Sequence, residues 1–482
     1  MKIGIDFGTS FSLPAIYYLG TQKMLLPAGK YGIPSVFYYD SWDGVVIGEE
    51  AEDLGQGENA INLRREIKLD LNSSFTANGR TFTAKEIVGY ILKYVKDIAL
   101  NTASENLINE TLDGVVLSVP ANFSHNEKQI IKEAAEIPEQ NGGPGLRVLG
   151  LIKEPVAAAL SYFEEPLSDG TRILVYDLGG GTCDVAIVEA NSSLVEKYDV
   201  KATETVRRGG KDWDLALQNF IKDELERLTG QHIAGNVSYE DKIKRAAISV
   251  KHRLTDSERA RAKVEIDGRV YQVPITREKF EGLTRHLLDE TINMTKRLLQ
   301  GGYGNVDKIV CVGGSSNMPQ IKAGLEKVFS NSEVQVYRPA SAIAFGAAIY
   351  AQNCGIRPFV QDVAAFSYGT DFYLSGTEIK KFGNVIIKGQ KLPVTEERGF
   401  ATRVDNATCI SFDVYESTVT DRDYPYDSSK KPVVKMTLEL PPGYPEGTKL
   451  FLKLTLSQDG LLEATARDLD GHTVTVRKKL VF

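Results

Sequence analysis

Two segments of this chain carry one signature: an apolar run, then an acidic residue, then glycines and a hydroxyl. The first is Lys2-Ile-Gly-Ile-Asp6-Phe-Gly8-Thr9-Ser10, and the second is Arg172-Ile-Leu-Val-Tyr-Asp177-Leu-Gly179-Gly180-Gly181-Thr182-Cys183-Asp184. Each apolar run reads as a buried strand. Glycine adopts backbone angles that turn N–H groups outward, and it lets the chain approach a ligand closely. Such a turn can hold phosphate oxygens on its amides. An Asp beside it can hold Mg²⁺ through water, because magnesium keeps much of its hydration. A single turn of this kind more often just ends a strand. A matched pair at the heads of two halves implies a duplicated fold that grips a nucleoside triphosphate in the cleft between them.

The rest of the chain fits that frame. A length of 482 residues implies about three domains of ordinary size, ~150 residues each. The net charge of −7 argues against nucleic acid as a partner, which asks for a basic face. No apolar run approaches the ~20 residues needed to cross a bilayer, so no membrane partner is expected. Cys183, Cys311, Cys354 and Cys409 show no paired spacing and read as free thiols of a reducing compartment. The five His form no zinc pattern. The first strand begins at residue 2, so no signal or transit peptide is expected and the protein reads as cytoplasmic.

Residues 1 to about 355 alternate strand and helix patterns. In residues 85–100, Ile87, Val88, Ile91, Leu92, Val95 and Ile98 share one helical face, and Thr83 with Glu86 forms a capping box ahead of them. Gly114–Val119 reads as a buried strand, followed by the turn Pro120-Ala-Asn-Phe-Ser124 and a helix to Glu136, with Ser124 and Glu127 as its capping box. The same unit returns at Lys308–Val312, Gly313-Gly-Ser-Ser-Asn317 and a helix starting near Pro319. Helices between apolar strands of this length mean α/β with a mostly parallel core. The expected lobes are about 1–168 and 169–355. Beyond them, 356–362 reads as a linker and 363–482 as an all-β module, with strands at 385–387, 408–415, 433–440, 450–456 and 461–466 and an Asp-Gly hairpin turn at 457–460.

Asp6, Asp177 and Asp184 supply carboxylates that, with Mg²⁺, would clamp the β- and γ-phosphates. Thr9, Ser10 and Thr182 add hydroxyl donors at the same place. Glu154 precedes Pro155 at a helix start, where the dipole favours its negative form, and there it would orient a water or act as general base. The turns at Gly209-Gly210 and Gly313-Gly314-Ser315 would meet phosphate or ribose through backbone amides, although either, alone, is more often a plain turn.

These residues also carry a family resemblance. The chain resembles the heat-shock chaperones of the DnaK type, within the actin-like ATPase superfamily. Ile-Gly-Ile-Asp6-Phe-Gly-Thr9 is similar to the family's first phosphate motif, and Asp177-Leu-Gly-Gly-Gly-Thr182 to its second. Ser118-Val-Pro120-Ala-Asn-Phe and Lys-Glu154-Pro-Val-Ala-Ala-Ala-Leu resemble its two connecting segments. Gly209-Gly-Lys-Asp-Trp-Asp214, Gly313-Gly-Ser-Ser-Asn-Met-Pro319 and Ala344-Phe-Gly-Ala-Ala348 extend the match. Asp362-Val-Ala-Ala-Phe-Ser-Tyr-Gly369, Leu438-Glu-Leu-Pro-Pro-Gly443 and Asp459-Gly-Leu-Leu-Glu-Ala-Thr-Ala466 resemble its β-sandwich. The resemblance implies a duplicated two-lobe ATPase fold of the ribonuclease H-like kind, followed by an all-β sandwich.

By the same resemblance, Asp6 and Asp177 would hold Mg²⁺ through water, and Asp184 and Glu154 would act on the attacking water. Gly8, Thr9, Ser10, Gly179, Gly180, Gly181 and Thr182 would contact phosphates of ATP or ADP. Gly209, Gly210, Lys251, His252, Thr255, Gly313, Gly314, Ser315 and Asn317 would line the rest of the nucleotide site. Pro120 would relay between nucleotide and substrate domains, and Phe400, Ile410 and Phe412 would line the peptide groove unless they are ordinary sandwich core. Extended peptides, a J-domain co-chaperone and a nucleotide-exchange factor are the implied partners.

The chain also departs from the family. The catalytic Lys matches Arg64 best, with Arg65 or Lys68 if the register slips; Arg's fork and Lys's compact charge are not interchangeable. His252 and Asn317 stand where the family brackets adenine with two Arg, and Ile248 replaces a Glu. The linker Pro358-Phe-Val-Gln-Asp362 is less apolar than the family's, and the helical lid is expected to be absent. The expected function is an ATP-dependent chaperone with slow turnover. The alternative is an actin-like nucleotide-regulated scaffold or assembly factor with little or none; a small-molecule kinase would leave the β-module unused.

Overall fold

The structure, a computed structural model, describes residues 1–163, 170–190, 198–303, 306–354, 360–457 and 460–479. Residues 356–359 of the expected linker and 458–459 of the expected hairpin turn lie outside them. The chain forms two compact units: Met1–Ala121 with Glu127–Ala190 and Glu204–Arg357, and Pro358–Phe482 with Asn122–Asn126 and Asn191–Thr203.

The first unit holds two sheets with one topology. In lobe I the strands run Val148–Lys153, Gly114–Val119, Lys2–Phe7, Phe11–Tyr18, Thr21–Met24. In lobe II they run Glu333–Val336, Lys308–Val312, Arg172–Leu178, Cys183–Ala190, the counterparts of the first four. In both, the strand bearing the acidic turn pairs parallel on one side and antiparallel on the other. The central strands are apolar almost throughout and buried on both faces, as parallel cores require. The capping box of Thr83 and Glu86 forms as the sequence predicts, starting the helix Ala84–Glu105 with Ile87, Val88, Ile91, Leu92 and Val95 buried.

Two helices exchange lobes. Glu154–Tyr162 follows the last lobe I strand but packs on Arg172–Leu178 and Cys183–Ala190; Ala342–Asn353 follows the last lobe II strand but packs on Lys2–Phe7 and Phe11–Tyr18. They cross where Gly346 meets Ala157, while Ala344 and Ala348 pack on Leu13 and Ala15 of the lobe I sheet. A Cβ on Gly346 would stand 1.6 Å from the Ala157 carbonyl oxygen, and one on Gly4 2.1 Å from the Ala348 nitrogen. The backbones therefore touch without side chains between them.

Outside the sheets, lobe I residues next to the helix Glu49–Leu54 meet the lobe II helix Val237–Asp256 through charges. Arg65 grips Glu52 with two bonds of 2.8 and 2.6 Å. Arg245 donates to Asp241 at 2.8 Å and to the Glu52 carbonyl at 2.8 Å, and the Gly57 amide donates to Asp241 at 3.2 Å.

The second unit is a β-sandwich. One sheet runs Val414–Ser417, Ser367–Tyr373, Lys380–Ile386, Asp423–Pro425; the other runs Val394–Ala401, Lys449–Leu456, Leu461–Arg467, Thr473–Lys479. Alternation sets the core: Leu450, Leu452, Leu454 and Leu456 are all fully buried. The strand expected at 408–415 divides. Cys409–Ser411 pairs with Thr437–Glu439, whereas Val414–Ser417 pairs with Ser367–Tyr373. The chain keeps its first partner through bonds from Phe412 to Met436 and from Val414 to Val434, while Val414 also joins Ser367–Tyr373, a second pairing that no side-chain pattern announces.

Candidate active site

The two strand ends bring four carboxylates to one place. Asp177 and Asp184 are direct cross-strand partners, a register that sets like charges side by side and is costly unless a cation or proton intervenes. Asp6 ends the corresponding strand of lobe I, and Glu154 opens the exchanged helix. All four are buried. Burial, then the Glu154 charge, pushes Asp6 up to about 6 against the pull of Lys68 and Ser118. Burial and Glu154 likewise raise Asp184 to about 7. Asp177 lies well above the usual carboxylate range, from burial first and then Glu154, Asp184 and Asp6.

A buried cation answers them. The Lys68 ammonium donates to Glu154 and to the Phe7 carbonyl, with its side chain 3% exposed. Assigning Arg64 to this place is therefore corrected: its guanidinium bonds Asp70 at 3.0 Å and Ser73 at 3.4 Å. Arg65 belongs to the Glu52 pair described above. The backbone explains the register. Glu66 takes a left-handed φ of 60° before the short turn Ile67–Leu69, which redirects the chain so that Lys68, and not Arg64 or Arg65, reaches the carboxylates.

The glycine turns converge on the same acids. A Cβ on Gly180 would meet the Ser10 hydroxyl at 2.6 Å and Thr9 at 3.4 Å, so the two phosphate-type turns face each other closely. Gly313, at φ +81°, sits where a Cβ would fall 2.5 Å from an Asp177 oxygen. The Gly210 amide and the Ser315 hydroxyl each donate to the Gly179 carbonyl at 2.9 Å, and the Lys211 amide donates to that of Gly180 at 2.9 Å. A Cβ on Gly209 would clash with the Gly181 nitrogen at 2.4 Å. Turns 179–182, 209–210 and 313–315 thus form one cradle opposite Thr9 and Ser10. Gly8 abuts the Phe11 carbonyl, which fixes the first turn. Lys251 reaches this cradle, donating to Asp214 at 2.7 Å and to the Gly210 carbonyl at 3.2 Å. Thr255 follows one turn later and bonds back to the Lys251 carbonyl at 3.3 Å. His252 and Asn317 are exposed, and the Asn317 amide bonds the Gly314 carbonyl at 3.2 Å.

Three contacts were not read from the sequence. Ser118 donates to Asp6 Oδ1 at 2.7 Å, Thr205 donates to Asp184 Oδ1 at 2.5 Å, and the Ala121 amide donates to the same oxygen at 2.9 Å. Pro120 is buried between Ser118 and Ala121. A hydroxyl inside an otherwise apolar strand was the available signal for Ser118.

A cation fits this donor set. Asp177 Oδ1 is buried with no hydrogen-bond partner among the described residues, and a buried acceptor of that kind is costly unless something occupies it. Among the described residues no three His, Cys, Asp or Glu side chains stand close enough to ligate a metal directly. Mg²⁺ keeps much of its hydration, so carboxylates that do not ligate it directly can hold it through its waters.

A duplicated two-lobe unit with paired acidic turns, a glycine cradle and a trailing β-sandwich restricts the choice of family, and comparison with known families decides it. Residues 2–479 match the Hsp70 protein family. The chain belongs to the Hsp70 family. Proteins of the Hsp70 family are ATP-dependent chaperones and ATPases that bind nucleotide, client peptides and co-chaperones.

The Hsp70 sandwich of this chain divides the three expected groove residues. Phe412, 2% exposed, is core. Phe400 and Ile410 are half-buried against that core, and Phe400 packs edge-on to Phe412 at 5.6 Å and to Phe372 at 5.9 Å. Phe412 as a groove residue is thus corrected to sandwich core, while Phe400 and Ile410 keep apolar surface open to solvent.

Proposed function

We propose that the first unit binds Mg·ATP in the cradle between its lobes and hydrolyses it to ADP and phosphate, and that the second unit binds extended apolar peptide segments. The observation that carries this reading is the convergence of Asp6, Glu154, Asp177, Asp184 and Lys68 beneath the glycine cradle. Bound Mg²⁺ would neutralise phosphate charge and supply Lewis-acid polarisation. Thr9, Ser10, Thr182 and the cradle amides would orient the phosphates, and Lys68 would oppose the charge that develops on the transferred group. Asp184 would accept a proton of the attacking water, and Glu154, fixed by Lys68, would orient that water.

In the second unit, Phe400 and Ile410 offer apolar contacts to a segment whose backbone adds to a sheet edge. ATP would change the affinity for peptide only to the extent that each ligand prefers a different conformation of the chain. A J-domain co-chaperone and a nucleotide-exchange factor would act on that cycle. The four free thiols support work in the reducing cytoplasm. The scaffold reading, which Arg64, Asn317 and the polar linker favour, loses one support, since Lys68 occupies the cluster.

Phosphate release by the wild type, abolished in Asp6→Ala and Thr182→Ala, tests the first part. Binding of a fluorescent apolar peptide with and without ATP tests the second. Release no faster than in Asp6→Ala leaves the scaffold as the better reading, and peptide affinity indifferent to ATP removes the coupling.

A further inference from the structure

Ser118 is fully buried in Gly114–Val119, a strand otherwise built of Gly, Val and Leu. A hydroxyl there costs free energy unless it is bonded. Its recorded partner is Asp6 Oδ1, at 2.7 Å. The parallel register sets Ile5 opposite Leu117, so the next residues of the two strands, Asp6 and Ser118, lie on one face. Three residues further on, the Ala121 amide donates to Asp184 Oδ1 in the other lobe, and Thr205 donates to that same oxygen. One short run, the strand end and the turn after it, thereby touches the acid of each half-site, Asp6 of lobe I by a side chain and Asp184 of lobe II by a backbone amide. Each contact occupies a single carboxylate oxygen. Asp177, the cross-strand neighbour of Asp184, then presents an Oδ1 with no hydrogen-bond partner among the described residues.

We propose that Ser118 is a positioning residue: it fixes Asp6 so that residues 118–121 hold the two acidic turns at one spacing, the spacing that a hydrated divalent cation on the nucleotide phosphates requires. The inference rests on the Mg·ATP reading of the site and goes beyond it, because Ser118 itself touches neither ligand. Its hydroxyl sets how much Mg²⁺ nucleotide binding needs, while binding of the cation-free nucleotide is indifferent to it.

The test is a Mg²⁺ titration of fluorescent-ADP binding to the full chain, repeated in EDTA, for wild type, Ser118→Ala, Ser118→Thr and Ser118→Val. Thr and Val have nearly the same shape and differ in the hydroxyl, so their comparison separates positioning from packing even where Ser118→Ala folds poorly. Loss of a hydrogen bond to a charged group should raise the half-saturating Mg²⁺ about tenfold in Ser118→Ala and Ser118→Val. Ser118→Thr should stay near wild type, and binding in EDTA should not change. Equal titrations for Thr and Val, or equal losses with and without Mg²⁺, overturn the proposal. A cation-dependent wild type with an unmoved Ser118→Ala overturns this inference alone. A wild type whose binding ignores Mg²⁺ overturns the reading of the site and this inference with it.

Discussion

Replacing Lys68 by Met tests the central arrangement. The ammonium is 3% exposed and its partner Glu154 is 8% exposed, so the pair is shielded from water and salt. Removing one partner of a buried pair typically costs ~3–5 kcal/mol, because the other charge is left uncompensated. Here Glu154 would be left among Asp6, Asp177 and Asp184 with no cation between them, which places the expected loss toward the upper end. Arg64 is the internal control. Its Asp70 partner is 56% exposed, and exposed pairs contribute about 0–1 kcal/mol. Urea unfolding of the nucleotide-free chain should therefore show a large drop for Lys68→Met and little for Arg64→Met. Adding Glu154→Gln to Lys68→Met should recover part of the loss, with a coupling of about 0.5–3 kcal/mol. Phosphate release should fall by about a hundredfold or more in Lys68→Met, as when one preorganised donor to the transition state is lost, and stay near wild type in Arg64→Met. Equal effects of the two substitutions, in either assay, or strict additivity of Lys68→Met and Glu154→Gln, would refute the assignment.

Asp6 and Asp184 titrate near 6 and 7 in the fold against a usual 3.8, so between pH 4 and 7 the folded chain holds protons that the unfolded chain has released. The stability of the nucleotide-free chain from these groups is complete at low pH and declines as pH rises through those values; the urea midpoint in EDTA should fall more steeply from pH 5 to pH 8 in the wild type than in Asp184→Asn. Gly346→Ala would drive a Cβ to 1.6 Å from the Ala157 carbonyl, and because backbone cannot swing away the cost should reach or exceed the usual ~1–3 kcal/mol of overpacking, read as a lowered melting temperature. Arg245→Ala removes two cross-lobe bonds to lobe I carbonyl groups and one to Asp241; stopped-flow release of labelled ADP should quicken and lose part of its salt dependence, and an unchanged rate would show that these charges do not restrain the lobes.

The duplicated architecture was legible because both halves repeat an apolar strand, an acid and glycines, and the acids stand together because their strands are equivalent. Lys68 was harder to read. Five residues hold Arg64, Arg65 and Lys68 in one short run, and a left-handed Glu66, which is not a residue that announces such a bend, decides which one turns inward. Ser118 looked like a strand residue, since only the partner strand reveals what its hydroxyl meets. In the sandwich, alternation places side chains on two faces but cannot say which face is covered, so Phe412 fell into the core while Phe400 and Ile410 stayed at its border.

The exchanged helices bear on where such a unit came from. Each sheet is roofed by a helix that the opposite half contributes, so one half by itself would show a bare apolar sheet and a dangling apolar helix. A one-copy forerunner could have buried both only by pairing with its twin, each lending the other its helix about a two-fold axis. Gene fusion would then have turned a swapped homodimer into a single polypeptide, leaving the backbone crossing at Gly346 as the scar of the old subunit boundary.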